Sequence, residues 1–248
     1  MSKTILVTSG SRGIGRAICL LSAQRGWSVG VNYARGKEAA EAVVAAALRD
    51  GVKALAIRGD VANESDVIAM FEQATAALGP LDGVVVNAGI VASAARLIDM
   101  SVERMRRVFE VNVLGAYVTA REAARRMMTS RGGKGGSIVL MSSAAARLGS
   151  PDLYVDYAGS KGAIDTLTLG LSKELGREGV RVNAIRPGMI ETDIHASGGE
   201  PERAHRLGAT APMGRPGKAD EIAEAAIWLL SDASSYATGA ILDVAGGR

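Results

Sequence analysis

The sequence has one cysteine, Cys19, so no disulfide can close within the chain and a cysteine-rich zinc site is ruled out. Rings are scarce: two Trp, five Tyr and two Phe make up 4% of 248 residues. The core therefore falls to Ala, Val, Ile and Leu, and there is no stacking platform for single-stranded nucleic acid. Proline occurs six times, and no Pro-rich linker, repeat or low-complexity segment divides the chain. No run approaches the ~18 apolar residues of a membrane span. Met1 to Thr4 lead into only Ile5, Leu6 and Val7 before Thr8, which predicts no signal peptide and, with the lone thiol, a cytoplasmic location. Charge is nearly balanced, 29 basic against 26 acidic residues. The basic stretch from Arg104 to Lys134 is accompanied by Glu103, Glu110 and Glu122 and reads as a solvated helix face, not a nucleic-acid surface.

What is plentiful is aliphatic residues and glycine, the latter 31 in number and spread without a period. Short β-branched runs alternate with longer helical patterns, the mark of βαβ units. Strands are predicted over Lys3 to Thr8, Ser28 to Asn32, Lys53 to Arg58, Asp82 to Asn87, Ser137 to Ser142, Arg181 to Ile185 and Ala240 to Val244. Helices are predicted over Ile14 to Arg25, Lys37 to Arg49, Glu64 to Ala77, Val102 to Thr129, Tyr157 to Arg177 and Ala219 to Ser231. Runs such as Ile138 to Met141 are apolar throughout, which suits strands covered on both faces. The expectation is an α/β fold, a single-domain Rossmann-type doubly wound sheet of about seven parallel strands over residues 1–248. The Pro/Gly-dense stretch 188–217, with a short helix near Glu200 to Leu207, is a candidate substrate lid. Its residues Met189, Ile194, His195 and Met213 suggest a mixed apolar and polar pocket.

The first strand runs into Ser9, Gly10, Ser11, Arg12, Gly13, Ile14, Gly15 and then a helix. A diphosphate can approach such a turn because side chains are missing, and it meets backbone N–H groups at the positive end of a helix. Where an NAD site carries a carboxylate after strand two, this chain has Asn32, Tyr33, Ala34, Arg35. A guanidinium attracts a 2′-phosphate that a carboxylate would repel, so Arg35 with Arg12 favours NADP over NAD. Further along, Tyr157 and Lys161 stand four apart on one helix face. A phenol has a pKa near ~10, and a cation within ~4 to 6 Å lowers such a value by about 1 to 3 units, making an acid or base usable near neutrality.

Taken together, the turn Thr8 to Gly15, Asn87-Ala88-Gly89, Asn112, Ser143, Tyr157 with Lys161, and Pro187-Gly188 resemble the short-chain dehydrogenase/reductase family, in that family's order, from residue 4 to about 246. Within the family the sequence is similar to the sugar-dehydrogenase-like and 3-oxoacyl-carrier-protein-reductase-like branch. The resemblance implies a catalytic set of Asn112, Ser143, Tyr157 and Lys161. Tyr157 would exchange a proton with the substrate oxygen, and Ser143 would hydrogen-bond that oxygen. Lys161 would lower the Tyr157 pKa and hold the nicotinamide ribose, and Asn112 would hold a water in a proton relay. Gly10, Ser11, Arg12, Gly13, Ile14, Gly15, Asn87, Ala88 and Gly89 would line the cofactor, Asp60 and Val61 its adenine, and Pro187, Gly188, Ile190 and Thr192 its nicotinamide end. The resemblance further implies a small carbonyl or alcohol substrate and a homo-oligomer, a dimer or a homotetramer.

Two departures from the family pattern stand out. Ser9 replaces the first turn glycine, and Gly10 is expected to take up the turn in its place. The interval from Ser143 to Tyr157 is one residue longer than the family's commonest spacing, which makes Ser142 a competitor for the serine role and puts the extra residue in the loop Ser150 to Asp156. Tyr154 competes with Tyr157 but has Ala158 where a lysine is needed, so it is expected to line the substrate pocket. His195 and His205 have no carboxylate or cysteine at ligand spacing, so no metal site is predicted. Besides the NADP-dependent oxidoreductase reading, the sequence leaves open a 3-oxoacyl-carrier-protein reductase docking its partner through Arg203 and Arg206, and a catalytically silent dinucleotide sensor.

Overall fold

Apolar side chains on both faces of every central strand leave room for only one arrangement, a parallel sheet sandwiched between helices. The computed structural model describes residues 2–192, 199–200 and 202–248, so Ile194 and His195 lie outside the described residues. Its strands are β1 (Thr4–Val7), β2 (Ser28–Tyr33), β3 (Ala54–Arg58), β4 (Gly83–Val86), β5 (Gly136–Met141), β6 (Val180–Pro187) and β7 (Ile241–Val244). They form one parallel sheet in the order β3-β2-β1-β4-β5-β6-β7. The helices are α1 (Gly13–Gln24), α2 (Lys37–Arg49), α3 (Glu64–Leu78), α4 (Val102–Phe109), α5 (Gly115–Met127), α6 (Ala145–Leu148), α7 (Val155–Leu175), α8 (Arg203–Gly208) and α9 (Ala219–Leu230). No described helix is long and apolar enough to cross a membrane.

The two-residue period of the strands divides the core into two layers. Ile5, Val7, Val85, Val139 and Met141 face α1, α2 and α9. Leu6, Val84, Val86, Ile138 and Leu140 face α3, α5 and α7. The order in which strands are added reverses between β1 and β4, and a crevice opens at their carboxyl ends, the place where ligands bind in open α/β sheets.

Two sequence expectations are corrected here. The helix predicted from Val102 to Thr129 is interrupted by a π-helical turn at Glu110–Leu114. Asn112 sits inside it, its side chain bonded across to Ile90, and such widened turns arise where a local contact outweighs regular helix geometry. The turn after β1 is not taken up by Gly10. Ser9 itself adopts the left-handed region, with φ 52°, held there by its N–H to Asn32 Oδ1 at 3.1 Å and its carbonyl to Asn87 Nδ2 at 3.2 Å. Gly10 is needed for another reason. A Cβ there would lie 2.9 Å from Cys19 Sγ, so the buried thiol packs directly beneath the turn.

A left-handed serine costs roughly 1 to 2 kcal/mol, part of which glycine gives back through its freer unfolded chain. Ser9→Gly should therefore stabilise the protein by up to about 1 kcal/mol, seen as a higher denaturant midpoint at unchanged slope. A lower midpoint would mean that the serine is unstrained.

Candidate active site

Thr8 ties the two strands that open the crevice. Its hydroxyl accepts from Asn87 N at 2.9 Å and Ala88 N at 3.0 Å, while Asn87 Nδ2 donates back to Thr8 O at 2.9 Å. This clamp brings Asn87 and Gly89 alongside the turn that holds Gly10, Ser11, Arg12, Gly13, Ile14 and Gly15. A Cβ at Gly15 would run into the Ser9 carbonyl oxygen and come within 2.7 Å of Asn87 Nδ2. Arg12 precedes α1 in extended conformation without a side-chain cap, and the first turn of α1 holds no acid. The turn is thus a glycine-rich cradle at a helix N-terminus with no side-chain cap, which fits a dinucleotide diphosphate.

The structure gives Asn32 and Tyr33 work in the frame. Asn32 Oδ1 accepts from Ser9 N, its Nδ2 donates to Gly59 O at 3.0 Å and Ile57 O at 3.3 Å, and Gly10 N binds its carbonyl at 2.8 Å. Tyr33 is packed in the core layer beside α2. Ala34 and Arg35 are exposed just beyond them, as is Arg12. Asp60 accepts from Ala62 N at 3.0 Å and from Arg107 at 3.1 Å. Partial burial pushes its carboxyl up, but Ala62 and Arg107, with Arg35 behind them, hold it below the usual range. Val61 is buried against Gly115.

Beyond β5 the chain delivers two serines in opposite directions. Ser142 is buried, and its hydroxyl donates to Asp165 Oδ1 at 2.7 Å. The other carboxylate oxygen of Asp165 takes two bonds from Arg186, at 2.8 and 3.1 Å. Ser143 instead lines a cleft with Tyr157, Lys161, Tyr154, Ile14, Asn87, Gly89, Pro187, Gly188, Ile190 and Thr192, enclosing about 880 Å³ that is partly open to solvent. The Ser143 hydroxyl accepts from Ala145 N at 3.1 Å and faces the same cleft as Tyr157. Loop residues with positive φ, Gly149, Ser150 and Asp152, absorb the extra length before α7.

The start of α7 is fixed by Asp156, which takes a two-pronged pair from Arg104, at 2.9 and 3.2 Å, and caps Tyr157 N at 2.9 Å. One turn on, Lys161 is 4% exposed. Its ammonium donates to the Met141 carbonyl at 2.8 Å and stands 5.7 Å from the Tyr157 ring centre. Burial lowers its pKa to about 8, partly offset by Asp165. The expectation that Lys161 pulls the Tyr157 pKa down is corrected for the protein without cofactor. Burial pushes the phenol up, and the opposing influences come from the Ser143 hydroxyl and the guanidinium of Arg203.

Asn112 is 1% exposed, and both its amide hydrogens are spent, on Ile90 O at 2.9 Å and Ser160 Oγ at 3.1 Å, while Oδ1 accepts from Ile90 N at 2.8 Å. Its side chain therefore braces the segment after β4 against α7 and offers no hydrogen to a relay water. Sequence reasoning missed Arg104, Asp156 and the Met141 carbonyl, for no spacing rule links a pair 52 residues apart. It placed Arg203 on a docking surface, whereas the side chain is buried in the cleft wall.

Comparison with known proteins follows this geometry. Residues 9–248 match the family model described as Enoyl-(Acyl carrier protein) reductase. The chain is 50% identical over 243 residues, 98% of each protein, to the uncharacterized oxidoreductase YgfF of Escherichia coli (strain K12). It is 38% identical to the L-rhamnose 1-dehydrogenase (NAD(P)(+)) of Sphingomonas sp. (strain SKA58), over 99% of this chain and 95% of that one. Among solved structures, a 3-oxoacyl-[acyl-carrier protein] reductase with bound NAD from Brucella melitensis superposes with a TM-score of 0.87 at 33% identity, covering 99% of this chain and 90% of that one.

A depressed lysine pKa makes a linkage prediction. The folded chain sheds the Lys161 proton near pH 8, the unfolded chain near 10.5, so the cost of the buried ammonium is full below pH 8 and fades as pH rises to 10.5. Lys161→Met, in protein free of cofactor, should be stabilised most near neutrality, by as much as about 3 kcal/mol, with the gain shrinking by about pH 10. Denaturant midpoints across that range measure it; a pH-independent difference would contradict the assignment.

Proposed function

Because the chain belongs to the short-chain dehydrogenase/reductase family, whose members are oxidoreductases, we propose that it is an NADP(H)-dependent enzyme interconverting a carbonyl and a secondary alcohol. The observation that carries this reading is the meeting of Ser143, Tyr157 and Lys161 in one cleft beside the glycine-rich turn. The bound nicotinamide supplies or receives the hydride. The chain's own residues do the rest. Tyr157 gives its hydroxyl proton to the carbonyl oxygen in reduction and takes it back in oxidation. Ser143 donates a hydrogen bond to the same oxygen as negative charge develops there, the preorganised donor that lowers such barriers. Lys161, fixed by Met141, presents a cation under the phenol and toward the ribose hydroxyls.

NADP selectivity rests on Arg35 and Arg12, both exposed at the rim of the turn, and on the lack of a carboxylate after β2. Asp60, beside them, is already engaged by Arg107. The segment 188–217 serves as the lid over the substrate. Apolar Leu114, Tyr117 and Leu169 exposed along α5 and α7 support a homo-oligomer, a dimer or a homotetramer. The single buried thiol fits the reducing cytoplasm. Reduction of a 3-oxoacyl group on a carrier protein is the weaker reading. Arg203 is buried and Arg206 is paired with Glu200, so the basic docking surface it needs is missing at this place. A silent sensor has no use for Tyr157 and Lys161 facing one cleft.

Tyr157→Phe should leave NADPH affinity within about threefold and reduce turnover by at least about a thousandfold, in steady-state assays across ketones and sugars. Unchanged turnover would remove this phenol from the chemistry. Arg35→Ala should weaken NADPH binding by roughly tenfold or more and NADH binding far less, by fluorescence titration; equal losses would overturn the 2′-phosphate assignment.

A further inference from the structure

Arg203 opens α8 and is 7% exposed, an uncommon position for a guanidinium. Its charged carbon lies 4.4 Å from the ring centre of Tyr154, itself buried in the cleft wall. Nη1 is buried and finds no hydrogen-bond acceptor among the described residues. Glu200 Oε1 stands 3.6 Å from it, beyond hydrogen-bond range, and that oxygen already accepts from the Tyr154 hydroxyl at 3.3 Å. The other oxygen of Glu200 is taken by Arg206. Two guanidiniums thus share one carboxylate. Among the described residues that line it, the cleft carries Lys161 and Arg203 as cations and no Asp or Glu.

A buried donor without an acceptor is costly, and a buried charge more so, which leaves this site incomplete until something supplies negative oxygen. Stacking on Tyr154 holds the guanidinium plane in place, so a ligand finds the donor ready oriented. A neutral hydroxyl would fill the hydrogen bond and leave the charge unanswered. We infer that Arg203 is a specificity-determining residue that binds a carboxylate of the substrate, so that the enzyme acts on oxo acids and the corresponding hydroxy acids. This rests on the oxidoreductase reading above and narrows its substrate class. In the reaction the hydride adds to the ketone carbon, the Tyr157 proton to its oxygen, and the carboxylate passes through unchanged. The same guanidinium favours the phenolate form of Tyr157, which couples recognition of the acid to the proton donor.

The test compares three acids, 3-oxobutanoate, 4-oxopentanoate and phenylglyoxylate, each with its methyl ester. Binding is followed by calorimetry on protein saturated with NADP+, and reduction is followed with NADPH. At least one acid should exceed its ester by about tenfold or more in affinity and in kcat/KM, the scale of one charge-assisted hydrogen bond. Arg203→Gln should lower that acid-to-ester ratio by about tenfold, and Arg203→Lys should keep part of it. Esters equal to or better than every acid in the parent protein would overturn the inference without recourse to any variant. So would a ratio unmoved by Arg203→Gln, or an NADP+ affinity that falls in step with acid binding, which would place the guanidinium on the cofactor. Acids that bind in preference to esters and are not reduced would uphold the carboxylate site and overturn the oxidoreductase reading. Esters reduced as well as acids would do the reverse.

Discussion

The site depends on an ammonium held by a strand's last carbonyl. Lys161 donates to Met141 at the carboxyl end of β5, and with the Ser142 bond to Asp165 this joins α7 to the sheet at the point where the chain leaves it. The two residues that follow Met141 are the serines, and the residue one helical turn before Lys161 is Tyr157. Pinning the lysine therefore sets the distance between phenol and serine hydroxyl. A buried ammonium seeks an acceptor strongly enough to enforce that geometry, which a surface lysine would not do. The Arg104 to Asp156 ion pair secures the same helix at its start, so α7 is held at both ends of its first turns.

Much of this was legible in the sequence because it is local. The seven strands follow from apolar runs, the turn from glycines at fixed offsets, and the Tyr157 and Lys161 pair from helical spacing. The strand ends move by only one or two residues. What was illegible is set by distant partners. The π-helical turn at Asn112 depends on Ile90, the left-handed Ser9 on Asn32 and Asn87, and the burial of Arg203 on Tyr154. Each of these joins segments that the chain order keeps more than 20 residues apart, where periodicity carries no information.

Electrostatics shows the same division. Spacing alone suggests that Lys161 acidifies Tyr157, yet a phenol sunk in the cleft is dominated by desolvation, which favours its neutral form. A proton donor that stays protonated until substrate arrives suits reduction. Ser143 and Arg203 oppose that tendency, and both belong to the cleft wall and not to the helix that carries the tyrosine.

The loop ahead of α7 carries one further implication. Within a helix, one added residue rotates everything after it by about 100°, enough to swing Tyr157 out of the cleft. The loop from Gly149 to Asp152 takes up the added residue with backbone angles that a helix does not use, so the angular phase of α7 against the sheet is preserved. Length variation is thereby confined to a segment that borders the substrate, where Ser150 lines the cleft, and kept out of the element that must not turn. Such a spacer shapes the rim of the pocket while the reacting groups keep their bearing.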